Sequence, residues 1–147
     1  MIVMGFNFDK INVEKFSSNF ENFKLNTNID VRDIKEAETN FFKTKDRLVE
    51  VKFVYTLDYQ ENLAKIEIGG AILLSMSSKE SEEVLKQWKE KNIAAEFKLS
   101  LFNTIFRKSN LKAIQLEEDL NLPIHIPLPQ LGKTKQKTDK KESPIDS

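Results

Sequence analysis

Leu63-Ala64-Lys65-Ile66-Glu67-Ile68-Gly69-Gly70-Ala71-Ile72-Leu73-Leu74-Ser75-Met76 is the stretch on which the fold turns. Ala64, Ile66, Ile68, Ile72 and Leu74 fall on one parity, and Lys65 and Glu67 on the other. Side chains alternate across a strand, so a period of two buries one face and wets the other. Gly69-Gly70 interrupts the run. A glycine weakens a strand interior but permits a kink or a close backbone approach. The pair lacks the Gly-x-Gly-x-x-Gly or Gly-Lys-Ser/Thr context of a phosphate loop. The segment therefore predicts a bent strand.

Upstream, Asp58-Tyr59-Gln60-Glu61-Asn62 reads as a polar hairpin loop. It joins the bent strand to a strand over about Arg47 to Leu57, with Val49, Val51, Phe53 and Tyr55 on one face. A further strand covers about Phe20 to Ile34, where Phe23, Leu25, Thr27, Ile29 and Val31 alternate with polar residues. Its parity breaks beside Asp33, which predicts a bulge or a bend. Residues 37–46 are polar apart from Phe41 and Phe42 and read as a connection. Phe6, Phe8 and Ile11 add one more strand at an edge, giving a four-stranded antiparallel sheet.

Downstream the period changes. Ser78 is the expected N-cap of a short helix to about Lys91, with Val84, Leu85 and Trp88 on one side and Asn92 ending it. A longer helix follows from about Ala94 to Leu120. Phe97, Leu101 and Ile105 form one apolar row, and Phe102, Phe106, Ala113, Leu116 and Leu120 form another. One face of a small sheet does not satisfy both rows, so the pattern predicts a helix held between its own sheet and another chain. The stretch Asn121 to Leu131 carries prolines at 123, 127 and 129, which forbid a helix or a central strand and leave an extended strap. Strands first and helices after define an α+β fold: a four-stranded antiparallel sheet followed by one short and one long helix.

The 147 residues suit a single domain. From Gly132 to Ser147 there are five lysines and three acids, net +2, which leaves net −2 over residues 1–131 because the whole chain sums to zero. The tail has little to bury and reads as disordered and Lys-rich over 132–147, with the domain at 1–131. A mildly acidic body argues against nucleic acid. No cysteine and one histidine exclude disulfides, thiolate zinc sites and a cysteine nucleophile. The N-terminus has neither a basic leader nor the apolar run of a secretory signal, and no stretch approaches the roughly 18 apolar residues of a membrane span. The expectation is a cytoplasmic protein with no membrane insertion.

Catalytic motifs are absent from the pattern. His125 has no neighbouring carboxylate or nucleophile in a known spacing and reads as a surface or loop histidine. Glu117-Glu118-Asp119 lacks the alternating oxygen ligands of a cation loop and reads as a solvated helix end. No cofactor is implied. Eleven phenylalanines against two tyrosines and one tryptophan give aromatic surface that mostly has no hydrogen-bonding group. About half would fill the core, and the rest suit an interface or an adaptable apolar binding surface.

The order of these features resembles the SecB-like molecular chaperones, and more closely a small archaeal branch of them. The resemblance is carried by Phe23-Lys24-Leu25-Asn26 in the early strand and by Glu67 to Ser75 with its double glycine. It continues in the long apolar helix from Ala94 and in Leu120-Asn121-Leu122-Pro123-Ile124-His125-Ile126-Pro127-Leu128-Pro129; Trp88-Lys89 resembles the archaeal branch. It implies an α+β protomer assembling as a homo-oligomer, a dimer of dimers, that holds unfolded polypeptide clients in apolar grooves without ATP. On that resemblance Phe23 and Leu25 line the groove from the strand, and Leu122 and Leu128 approach it from the strap. Ile29, on the same strand face, and Phe102 and Phe106 on the long helix complete the candidate client-binding set.

Lys65 and the basic tail depart from the acidic surfaces with which bacterial members dock the translocation ATPase, so the resemblance favours general holding or a dedicated client, such as a toxin–antitoxin partner, over export. Two other readings stand beside a holdase. One is a non-catalytic oligomeric adaptor with one fixed partner, and the other an enzyme or small-ligand protein using a closed pocket around the bent strand and His125.

Overall fold

Alternation along Val49, Val51, Phe53, Tyr55 and Leu57 builds the central strand of the structure. In the computed structural model, which describes residues 1–38 and 46–129, that strand is β3, Arg47–Gln60. It pairs antiparallel with β4, Ala64–Met76, and with β2, Lys24–Glu36, while β1, Ile2–Lys15, pairs with β4. The sheet order is β1-β4-β3-β2, so β1 and β2 are its two edges. Two helices follow, α1 at Ser78–Lys89 and α2 at Ala95–Leu120. The α+β arrangement and the four antiparallel strands are those expected from the sequence. Phe41, Phe42 and the Lys-rich tail lie outside the described residues.

Several local readings are corrected. The helix α1 starts one residue earlier than expected: Ser77 is the N-cap, accepting from the Glu80 backbone N–H while Glu80 reaches back to the Ser77 N–H. Only Ser77 has a glutamate three residues on, as a capping box requires. The hairpin is tighter than the polar run suggested. The alternation continues through Tyr59, which is fully buried rather than in a loop. The parity break in β2 is a bulge between Val31 and Asp33, one residue from its expected place.

Gly70 is where close approach governs. A Cβ built there would stand 2.4 Å from the Asn7 carbonyl oxygen of β1 and 2.9 Å from the Phe53 ring. The Phe53 ring thus occupies the space beside Gly70 because position 70 carries no side chain. Opposite, the β1 register slips between Phe8 and Lys10, a bulge facing the glycine pair.

The core lies between one sheet face and the helices, in two lobes. One joins Val51, Phe53, Ile72 and Leu74 to Val84 of α1 and Leu101 and Ile105 of α2. The other joins Tyr55, Leu57, Tyr59, Ile66 and Ile68 to Ala113 of α2 and Leu122 of the strap. Each large apolar side chain removed from water contributes about 1.5–3 kcal/mol before entropy is charged. The other sheet face is half-exposed and carries cross-strand pairs such as Lys52–Asp9 at 3.4 Å and Lys10–Glu67 at 3.5 Å.

The row that α2 turns to the sheet is Leu101, Ile105, Ser109, Ala113 and Glu117, all buried and spaced by four. Two of its members are polar, and the apolar rows of the sequence did not predict them. Asn121 ends α2 at φ 54°, and Lys15 of β1 donates to the Leu120 carbonyl at 3.0 Å. The last turn of α2 holds no basic residue, so β1 supplies the cation its negative end favours.

Candidate functional site

The strap from Leu122 to Pro129 is not a free crossing. Its fastening is a buried polar cluster built from Glu117, His125, Tyr59, Tyr55 and Asn110. Glu117 faces the sheet because it ends the spaced row on α2, and its side chain is fully buried. A carboxylate has only acceptors, so each neighbour must donate. The backbone N–H of His125 donates to Glu117 Oε2 at 3.1 Å, and His125 Nδ1–H donates at 2.9 Å to Oε1. The Tyr59 hydroxyl shares its proton between Glu117 Oε2 and the Pro123 carbonyl. On the other side of the ring, His125 Nε2 lies 3.1 Å from Asn110 Oδ1, which also accepts from the Tyr55 hydroxyl at 2.7 Å.

His125 and Glu117 are thus corrected. The imidazole side chain is 4% exposed, not a surface group, and the helix end is solvated at Glu118 and Asp119 but not at Glu117. Burial, and next the charge of Glu117, raise the Tyr55 phenol above its ordinary value near 10. The Tyr59 phenol is raised by burial, then by its hydrogen bond to Glu117 and the charges of Glu117 and Tyr55. The polar side chains engage one another, so the cluster acts as a clamp holding the strap to α2 and β3.

The second feature is a cleft of about 720 Å³ between β2 and the end of α1, the loop after it and the start of α2. Ile29, Val31, Trp88, Ile93 and Phe102 give it apolar walls. Ile29 and Phe102 are half-buried there, packed against the core on one side and left partly open on the other. The volume falls within the range of ligand clefts.

The candidate client-binding residues fall in several places. Ile29 and Phe102 share the cleft. Phe23 and Leu25 pack with Tyr59 at the other end of the sheet, Phe23 with its ring centroid 5.8 Å from that of Tyr59. Leu122 is 5% exposed and belongs to the same lobe. Phe106 stands edge-on to Tyr55 and is 37% exposed, and Leu128 is 45% exposed on the strap. Trp88 and Ile93 lie outside the set drawn from the sequence. Their signal was weak, because a tryptophan near a helix end and an isoleucine in a polar loop read as ordinary anchors.

An antiparallel sheet in the order β1-β4-β3-β2 with a short and a long helix over one face is an α+β fold. It is similar to that of a SecB-like chaperone of Mycobacterium tuberculosis, Rv1957, solved in complex with a ChAD peptide from the HigA1 antitoxin Rv1956. It matches with a TM-score of 0.50 over 91% of this chain and 92% of that one, at 10% identity. The likeness is one of fold, and it speaks to the SecB-like architecture rather than to an archaeal branch. No protein-family model and no curated protein matches the chain. Among the described residues, no helix is long and apolar enough to cross a membrane.

Proposed function

We propose that this protein is an ATP-independent, non-catalytic molecular chaperone of the cytoplasm that holds extended segments of non-native polypeptides. The observation that carries the reading is the apolar cleft along the edge strand β2, where Ile29, Trp88, Ile93 and Phe102 are left half-covered. An edge strand offers unpaired main-chain groups, and apolar walls beside it accept alternate side chains of an extended client. The fold likeness to a chaperone that binds an antitoxin peptide supports the same class of ligand. Phe106 and Leu128, with the exposed Leu99 and Leu111 of α2, extend apolar surface beyond the cleft.

The outer face of α2 is also where a second copy would pack. Leu99 is 64% and Leu111 62% exposed on a helix whose other face is in the core, which supports a homo-oligomer such as a dimer of dimers. A dedicated client, such as a member of a toxin–antitoxin pair, fits better than export. The basic tail and Lys65 do not suit docking to a translocation partner that recognises acidic surfaces.

The test is light scattering from an aggregating client with this protein at stoichiometric amounts and no nucleotide. Suppression is expected. Unchanged aggregation at a fourfold molar excess sinks the proposal.

A further inference from the structure

The rim of the cleft carries a charge opposite to that of the body beneath it. Lys89 comes from the last turn of α1, Lys91 from the loop after it, and Lys98 from the first turn of α2, and all three line the opening. Lys91 sits at φ 55°, a left-handed conformation that places a lysine where glycine or asparagine is favoured. All three are exposed, and among the described residues none of them is in an ion pair. The Nζ of Lys98 lies 5.5 Å from the Phe102 ring centroid, over an apolar wall. Asp30 is the sole acid among the lining residues, and it is engaged by Arg32 at 3.1 Å. The opening is therefore basic although residues 1–131 sum to net −2.

We propose that this cleft selects an extended polypeptide segment whose aliphatic or aromatic residue is flanked by aspartate or glutamate. The proposal rests on the chaperone reading and narrows its client. The apolar side chain would enter between Ile29, Trp88 and Phe102, and the flanking carboxylates would meet the lysines at the rim. The chain's own tail is the wrong occupant, because its net +2 would be repelled by the same lysines. A nucleic acid suits the rim, but the walls are mostly the aliphatic Ile29, Val31, Ile34, Ile93 and Leu101, with only Trp88 and Phe102 to stack on its bases.

Trp88 is the only tryptophan of the chain and lines the cleft, so its emission reports occupancy at this place. The experiment titrates the full chain with two tryptophan-free peptides that share a Leu-Ile-Phe-Leu core and carry either glutamate or lysine flanks. Three exposed pairs, each contributing roughly a factor of two, predict about eightfold tighter binding of the glutamate-flanked peptide at low salt. At about 1 M salt the screening length shrinks to roughly 3 Å, and the preference should fall below about twofold. In the Lys89→Glu/Lys91→Glu/Lys98→Glu variant, whose changes are all at exposed positions, the preference should invert.

Equal affinities, or a preference for the lysine-flanked peptide, overturn the proposal. So does a short oligonucleotide that shifts Trp88 emission at lower concentration than the acidic peptide. If the client aggregation assay still shows suppression in those cases, the chaperone reading stands while the acidic preference falls. No emission change with either peptide, together with no suppression, removes both.

Discussion

Replacing Glu117 by alanine takes away the acceptor on which the strap depends. Three donors converge on that carboxylate: the His125 backbone N–H at 3.1 Å, His125 Nδ1–H at 2.9 Å and the Tyr59 hydroxyl. Each bond to a charged acceptor is worth about 1.5–3 kcal/mol, which sets an upper bound of roughly 5–9 kcal/mol if all three were lost without relaxation. Relaxation is available, because the strap ends in exposed residues and can swing outward to let water reach His125. Breaking one partner of a buried pair costs about 3–5 kcal/mol, and that range is the expectation for Glu117→Ala. For a domain of this size the melting temperature should fall by roughly 10–25 °C. Urea unfolding followed by circular dichroism measures the loss. His125→Ala made in the Glu117→Ala background should cost far less than in the native chain, since the two act through shared bonds. The Glu117→Leu/His125→Leu pair should recover part of the stability, because it leaves only the backbone N–H of residue 125 without its acceptor. A loss below about 1 kcal/mol for Glu117→Ala, or additive single losses, would refute the clamp.

Gly70→Ala should destabilise by at least about 1–3 kcal/mol, because its Cβ would stand 2.4 Å from the Asn7 carbonyl oxygen. Gly5→Ala, with its nearest neighbour at 3.8 Å, should stay within about 0.5 kcal/mol; similar melting curves for the two would contradict the close-approach argument. Ser109→Ala should stabilise by about 1 kcal/mol in the same denaturation assay, since the buried Oγ has no hydrogen-bond partner in the described structure; a loss of that size would show that the hydroxyl is satisfied. Tyr55 and Tyr59 are raised above the unfolded value, so the unfolded chain sheds protons first. Stability is then full below about pH 10 and declines above it by up to about 1.4 kcal/mol per pH unit for each tyrosine. Tyr55→Phe/Tyr59→Phe should flatten that alkaline slope, and an unchanged slope between pH 10 and 11 would contradict it.

The strand faces were legible because burial on one side of a sheet forces alternation, and Ile66, Ile68, Ile72 and Leu74 obey it with few exceptions. Tyr59 escaped because Asp58, Gln60, Glu61 and Asn62 surround it, and polar neighbours outvote one aromatic unless the parity from Val49 is carried through. Ser77, not Ser78, completes the box with Glu80, so the sequence itself carries the signal for that helix start. The clamp is a different case. Glutamate, histidine and asparagine each read as surface residues, and only the fold-back of the strap onto α2 brings Glu117 and His125 within 2.9 Å. A buried hydrogen-bonded pair depends on that three-dimensional closure, and no periodicity announces it. The cleft, likewise, joins residues from β2, α1 and α2 that have no common spacing.

The place of β1 in the sheet has a consequence for synthesis. Its partner is β4, with Ile2 opposite Ser75 and Lys15 opposite Ala64, so the first strand made is bonded only to the last. The β2–β3 and β3–β4 hairpins close locally, while β1 waits for roughly 50–70 further residues to be translated. At roughly 5–20 residues per second that is a delay of about 3–14 s. During it Ile2, Val3, Met4, Phe6 and Phe8 are available to any neighbouring chain on the ribosome. Slowing the codons after residue 76 should leave the yield unchanged, whereas slowing those between residues 16 and 63 should lengthen the exposure and increase aggregation of the nascent protein.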